Sequence, residues 1–243
     1  MKYLSRSCDV GLAAAVIRAV NSPAFGISRR ISSVPQAISL LGFSNVATLV
    51  TALVLRHLAG GSPTVSLERF WDTAEKVALI NSVLARRLGG IAPDAAYSYG
   101  LFHDCGIALL MQRFPEYRNV LVDANMHLDT PFTEYEDQML GTNHATVGYF
   151  LTRSWQMEET LSQAVLRHHD LRVFATDSDS DAAEPLVQRM VALGHLAEHL
   201  HHEMQRAAPD PEWIKFGPLC LTELGLDDHD LLDLVEDAPQ MVG

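Results

Sequence analysis

The 243-residue sequence predicts an all-α fold, on three observations. Apolar side chains recur at helical spacing through most of the chain, and the strict alternation of a strand is almost absent. Proline and glycine mark several segment ends, at Pro23, Gly42, Gly60-Gly61, Gly89-Gly90 and Pro93, dividing the chain into helices. Hydrophobic residues make up 48% and charged residues 20%, which suffices for a buried core and argues against disorder.

Residues 9–20 carry an apolar helical repeat that stops at Asn21-Ser22-Pro23, where proline cannot continue a helix. A short helix is expected from Pro35 to Gly42, because proline suits a first helical turn. Ser44 can cap an apolar helix running to Ala59, with Gly60-Gly61 beyond it. A longer amphipathic helix is expected over Leu67–Leu88, stopped by Gly89-Gly90. Pro93 then opens a helix through His103 to Gln112. Further helices are expected at 114–127, 132–140, 143–155, 158–169 and 185–206. The stretch 171–183, with alternating acids from Asp177 to Asp181, reads as a loop. It lacks the glycine and distal glutamate of a calcium loop. Residues 207–243 read as an acidic helical tail behind a domain spanning 1–206. No period of fixed length suggests a solenoid.

Composition narrows the function classes. The net charge is −12, from 18 basic and 30 acidic residues, and no basic stripe follows the sequence, so nucleic acid is a disfavoured partner. No apolar run approaches the roughly 18 residues of a membrane helix, and Asp9 and Arg18 interrupt the N-terminal stretch against a signal peptide. Cys8, Cys105 and Cys220 are far apart and odd in number, which points to a reducing, cytoplasmic setting. No phosphate-binding loop, dinucleotide fingerprint or nucleophile elbow is present.

The 11 histidines carry the chemical signal. His103-Asp104 lies deep in an apolar segment, where a carboxylate is costly unless paired or metal-bound. The pair reads either as capping groups for neighbouring backbone or as two ligands approaching one ion from a single helix. His144 begins one helix, and His168-His169 closes another, where the helix dipole offers a structural reason for histidine. Together His103, Asp104, His144, His168 and His169 form a donor set suited to iron, manganese or zinc. A rival pattern, His195-x-x-Glu198-His199, matches the inverted zinc-peptidase motif, but the acidic tail offers no clear further ligand. His199, His201 and His202 read instead as an exposed rim cluster.

Several segments in series resemble HDOD domains, the HD-related output domains of bacterial signalling proteins. They are Asn21–Gly26, Ile31–Ile38 with Leu40–Gly42, Phe70-Trp71, Leu101–Gly106, His144–Gly148 with Trp155, and His168-His169. The resemblance covers roughly residues 9–206 and implies a compact HD-like helical domain, with an N-terminal helical subdomain packed on an HD-like bundle. It implies a regulatory role through contacts with a signalling protein, around a degenerate HD-type metal site. In catalytic relatives a histidine precedes the HD pair by one helix. Here that position is Asp72 or Thr73, and Ile107 follows where HD-GYP enzymes carry a lysine. The closing aspartate of the superfamily falls near Glu198. These departures weigh against hydrolysis, and a metal-dependent phosphohydrolase acting on nucleotides or cyclic dinucleotides is the alternative. The 20 residues before Asn21 are fewer than such domains carry, which implies a reduced lead-in or a longer parent chain.

Overall fold

In the computed structural model, residues 65–126, 130–175, 183–205 and 210–242 are described, with positions 16–17, 20–21, 31–32, 34–42, 46–47, 50–51 and 54 before them. The regular structure among these residues is helical, without a strand. In chain order the helices are α1 (Val34–Leu41), α2 (Val65–Leu88), α3 (Pro93–Phe102), α4 (Cys105–Arg113), α5 (Tyr117–Met126) and α6 (Phe132–Leu140). They continue with α7 (His144–Ser154), α8 (Glu159–Arg167), a 3-10 turn at Leu171–Phe174, α9 (Pro185–Met204), α10 (Pro211–Leu224) and α11 (Asp228–Met241).

Pro93 opens a helix as the sequence predicts, and further caps and stops emerge in the structure. Pro93 and Pro211 sit in first turns, Asn143 and Asp210 cap α7 and α10, and Gly141 ends α6 with φ 72°. Asn21 is a structural clamp. Its Nδ2 donates to the carbonyls of Ile17 (2.8 Å) and Ile31 (2.7 Å), and its Oδ1 accepts from the Ile31 amide. The acidic stretch 177–181 lies outside the described residues.

Helix α2 divides the interior between its two faces. Trp71, Ala74 and Ala78 pack with Val16, Val20, Ile31, Ala37 and Val46 and with Phe102. Val77, Ile80 and Leu84 face a larger cluster built from α3, α8, α9, α10 and α11. Residues 211–241, expected as a tail, bury Phe216, Leu224, Leu234 and Met241 in that cluster. Each such side chain contributes about 1.5–3 kcal/mol relative to exposure. No helix among the described residues is long and apolar enough to cross a membrane.

One expected helix is two. The segment from Pro93 breaks at His103-Asp104, where Asp104 leaves helical geometry (φ −100°, ψ 11°) and starts α4. The expected reach of both side chains from a single helix is therefore replaced by a two-residue turn. The periodicity hid this break, because α3 and α4 are both apolar and mostly buried. His168-His169 likewise lies in the turn after α8 rather than inside a helix.

Two glycines let the elements meet closely. A Cβ on Gly106 would lie 2.1 Å from the His144 carbonyl oxygen and 2.9 Å from the Gly148 amide nitrogen. Helices α4 and α7 thus touch backbone to backbone, which brings Asp104 within reach of His144.

Candidate metal centre

Asp104, His144, His168 and His169 each place one ligand-type atom within 4.8 Å of the others. Asp104 Oδ1 lies 3.3 Å from both His144 Nε2 and His168 Nε2, and those two nitrogens are 3.1 Å apart. A second group shares the same aspartate: His103 Nε2 stands 3.5 Å from Asp104 Oδ2 and 2.9 Å from Glu198 Oε1. Asp104 therefore faces one group with each oxygen.

The remaining ring nitrogens are committed elsewhere. His103 Nδ1 donates to the Gly100 carbonyl (3.0 Å), and His168 Nδ1 to the Val165 carbonyl (2.7 Å). His144 Nδ1 donates to Glu136 Oε2 (2.6 Å), and His169 Nδ1 to Glu212 Oε2 (2.7 Å). Carbonyl and carboxylate oxygens only accept, so each Nδ1 carries the proton. Neutral His144 and His168 then turn a bare Nε2 towards Asp104, whereas His103 Nε2, 2.9 Å from Glu198 Oε1, carries a second proton. Bare nitrogens of His144 and His168 in contact with each other and with a carboxylate oxygen repel unless a proton or cation lies among them.

Electrostatics expresses the same demand. Burial works to lower the pKa of His103, but the charges of Asp104 and Glu198 outweigh it and push it up to about 9. Burial opposes protonation of His144 too, and the Glu136 and Asp104 carboxylates raise it to about 10. Asp104 is held well below the usual carboxylate range. Burial would raise it, but the His103 charge and the His144 and His168 hydrogen bonds prevail. His168 is driven well below its ordinary value by burial and the adjacent His169 charge. Fully buried Glu136 and partly buried Asp104 call for positive charge, which two imidazolium protons or one divalent cation supplies. Three imidazoles and one carboxylate, each ring oriented by an outer hydrogen bond, suit such a cation.

The structure brings together all five sequence-identified residues. It divides them between the two oxygens of Asp104, with His103 at Oδ2 and His144 and His168 at Oδ1. Glu198, noted only as a position near the superfamily's closing aspartate, stands against His103. Glu136 and Glu212 were missed. The readable signal for Glu136 was a charge four residues after Phe132, on the buried stripe of α6; Phe132 and Glu136 are the two buried residues of that helix.

The peptidase pattern does not form a site. His195 Nε2 donates to the His168 carbonyl (2.6 Å), and its ring stacks on Phe216. His199 stacks on Trp213 at 4.2 Å, with Nδ1 directed at Asp210. The expected exposed rim is also corrected: His199 and His201 are buried, with His199 covered by Trp213 of α10.

A cavity of about 300 Å³ opens beside the second group, lined by Thr73, Glu198, His169, Asp210 and Glu212 among others. No Lys or Arg is among its described lining residues. A larger cavity of about 790 Å³ shares His169 and Glu212 and includes Arg167, Arg172 and Lys215. There Arg172 is paired with Asp170, and Lys215 with Glu212.

Comparison with known proteins places this geometry in a family. The HDOD domain profile matches residues 6–171. A crystal structure from Shewanella amazonensis SB2B, named as a candidate phosphohydrolase, is similar with TM-score 0.63 and 24% identity. That match covers 97% of this chain and 80% of the other. A candidate signal transduction protein from Marinobacter aquaeolei VT8 gives TM-score 0.58 at 22% identity, covering 97% of this chain and 52% of the other. An uncharacterized protein of Treponema pallidum (strain Nichols) is 24% identical over 166 residues, 68% of this chain. The match spans only 32% of that curated relative's length. With the profile covering well over half of its residues, the chain belongs to the HDOD domain family.

Proposed function

We propose that the chain is a non-catalytic regulatory module that acts through contacts with a signalling protein in the cytoplasm and keeps one HD-type metal site. Asp104, His144, His168 and His169 would hold the ion, with iron, manganese and zinc the metals suited to that donor set. Such an ion would supply charge compensation to Asp104 and Lewis acidity towards a bound oxygen.

The observation that carries this reading is Thr73. It lines the cavity beside Glu198, and with Asp72 it is one of the two positions where the resemblance expects catalytic relatives to place their first histidine. The group of His103, Asp104 and Glu198 thus has three protein donors, and the wall next to it offers a hydroxyl. The acidic, histidine-rich lining of that cavity is also poorly matched to a phosphate.

The second reading is a metal-dependent phosphohydrolase, favoured by the four-donor group and by the cavity containing Arg167, Arg172 and Lys215. One experiment separates the two. Protein stripped by chelator is reloaded with Fe²⁺, Mn²⁺ or Zn²⁺, then assayed on cyclic dinucleotides and nucleotides beside Asp104→Ala. The regulatory reading expects one ion per chain and no turnover above that of the variant. Turnover that metal restores and Asp104→Ala abolishes establishes the hydrolase instead.

A further inference from the structure

Glu136 is a carboxylate with no exposed surface, and no other Asp or Glu among the described residues is as buried. An unpaired buried charge is strongly destabilising, so its partners define what it does. Its Oε1 accepts from the Tyr117 hydroxyl at the start of α5. Its Oε2 accepts from both the His144 ring Nδ1 (2.6 Å) and the His144 amide (3.2 Å) at the start of α7. Three helices therefore converge on one carboxylate.

We infer that Glu136 is a positioning residue: anchored by Tyr117, it fixes His144 in the tautomer and rotation that aim Nε2 at Asp104. The inference rests on the metal-site reading given above. Several features support it. Helix α7 starts at His144, so Glu136 meets the positive end of that helix dipole as well as the ring. Asn143 caps the same turn by accepting from the Thr146 amide, while its own amide group donates to Asp137 of α6. The turn carrying His144 is thus held to α6 twice, at Asp137 and at Glu136. Tyr117 is itself fully buried, and burial together with the Glu136 charge keeps its proton on the phenol as a donor. A carboxylate behind a ligating imidazole also raises the basicity of the inward nitrogen, and loss of such a partner costs about 10–100-fold in metal affinity.

Glu136 differs from a simple core charge in what its removal would change. Glu136→Gln keeps an acceptor for His144 Nδ1 and loses the negative charge. Glu136→Ala loses both and frees the ring to flip. Tyr117→Phe leaves Glu136 in place without its anchor. The test is Zn²⁺ affinity by chelator competition for the wild type and these variants, with His144→Ala as reference. Ring-nitrogen NMR of Zn²⁺-loaded protein reports which His144 nitrogen carries the proton.

The expected order is a loss of about 100-fold for Glu136→Ala and about 10-fold for Glu136→Gln, with a smaller loss for Tyr117→Phe. The His144 Nδ1–H signal should weaken in Glu136→Ala. If the wild type binds no stoichiometric Zn²⁺, the metal reading itself fails. If the wild type binds and His144→Ala does not, yet both Glu136 variants bind within about twofold of wild type, the positioning role is overturned. Should neither Glu136 variant fold, Tyr117→Phe decides: weakened affinity supports the role, and unchanged affinity with an unchanged His144 signal overturns it.

Discussion

His144 Nε2 lies 3.1 Å from His168 Nε2, and the other nitrogen of each ring is already donating, to Glu136 and to the Val165 carbonyl. The contact is repulsive between neutral rings and attractive only around a proton or cation. Metal loading should therefore stabilise the fold. At a free ion concentration 100-fold above Kd the gain is about 2.7 kcal/mol, or about 5–10 °C in Tm for a chain of this size. Thermal melts with and without chelator measure it, and identical melts would count against an ion at this position.

Gly106 and the His144 carbonyl set the spacing of α4 and α7. In Gly106→Ala the added methyl would meet main-chain atoms that no rotamer change can move. The helices must separate, at an expected cost of about 3 kcal/mol. Asp104 should then lose its reach to His144. Urea unfolding and Zn²⁺ competition should both respond; a stable variant with native affinity would show that the helix contact does not position the site.

Thr73 lies on the cavity wall beside Glu198. If only a missing imidazole keeps His103, Asp104 and Glu198 from binding, Thr73→His should raise metal content from one towards two ions per chain. Elemental analysis of the purified variant reads this directly. An unchanged stoichiometry would mean that the second group is not a latent site.

Asp210 caps α10 by accepting from the Trp213 amide (3.2 Å) and receives His199 Nδ1 at 3.3 Å. Burial acts to raise its pKa, but these hydrogen bonds outweigh it and hold the carboxyl below its usual range. A depressed folded-state pKa contributes stability above the unfolded value of about 3.9 and loses it as pH falls through the folded one. Asp210→Ala should cost about 1–2 kcal/mol at pH 7. Urea titrations should show its deficit relative to wild type shrinking below about pH 4.

Much of the architecture was legible because its signals are local. The 3.6-residue repeat and Pro93 act within a turn or two of where they stand, and helix 132–140 follows from the repeat without adjustment. The break at His103-Asp104 was not legible, since two buried apolar helices in series carry the same periodicity as one. Nor was the burial of His199, which depends on Trp213 of α10 folding back over α9.

The residue types of the centre, and their order along the chain, belong to the sequence. His103, Asp104, His144, His168 and His169 could be named as a donor set before any coordinates, and the series of segments that marks the HDOD family contains them. Only the tertiary structure decided how they divide around Asp104, that Glu198 reaches His103 across 95 residues, and that Glu136 and Glu212 stand behind two of the imidazoles. The reason is physical. Ring orientation and proton placement are set by partners on other helices, and those partners meet only when the core packs.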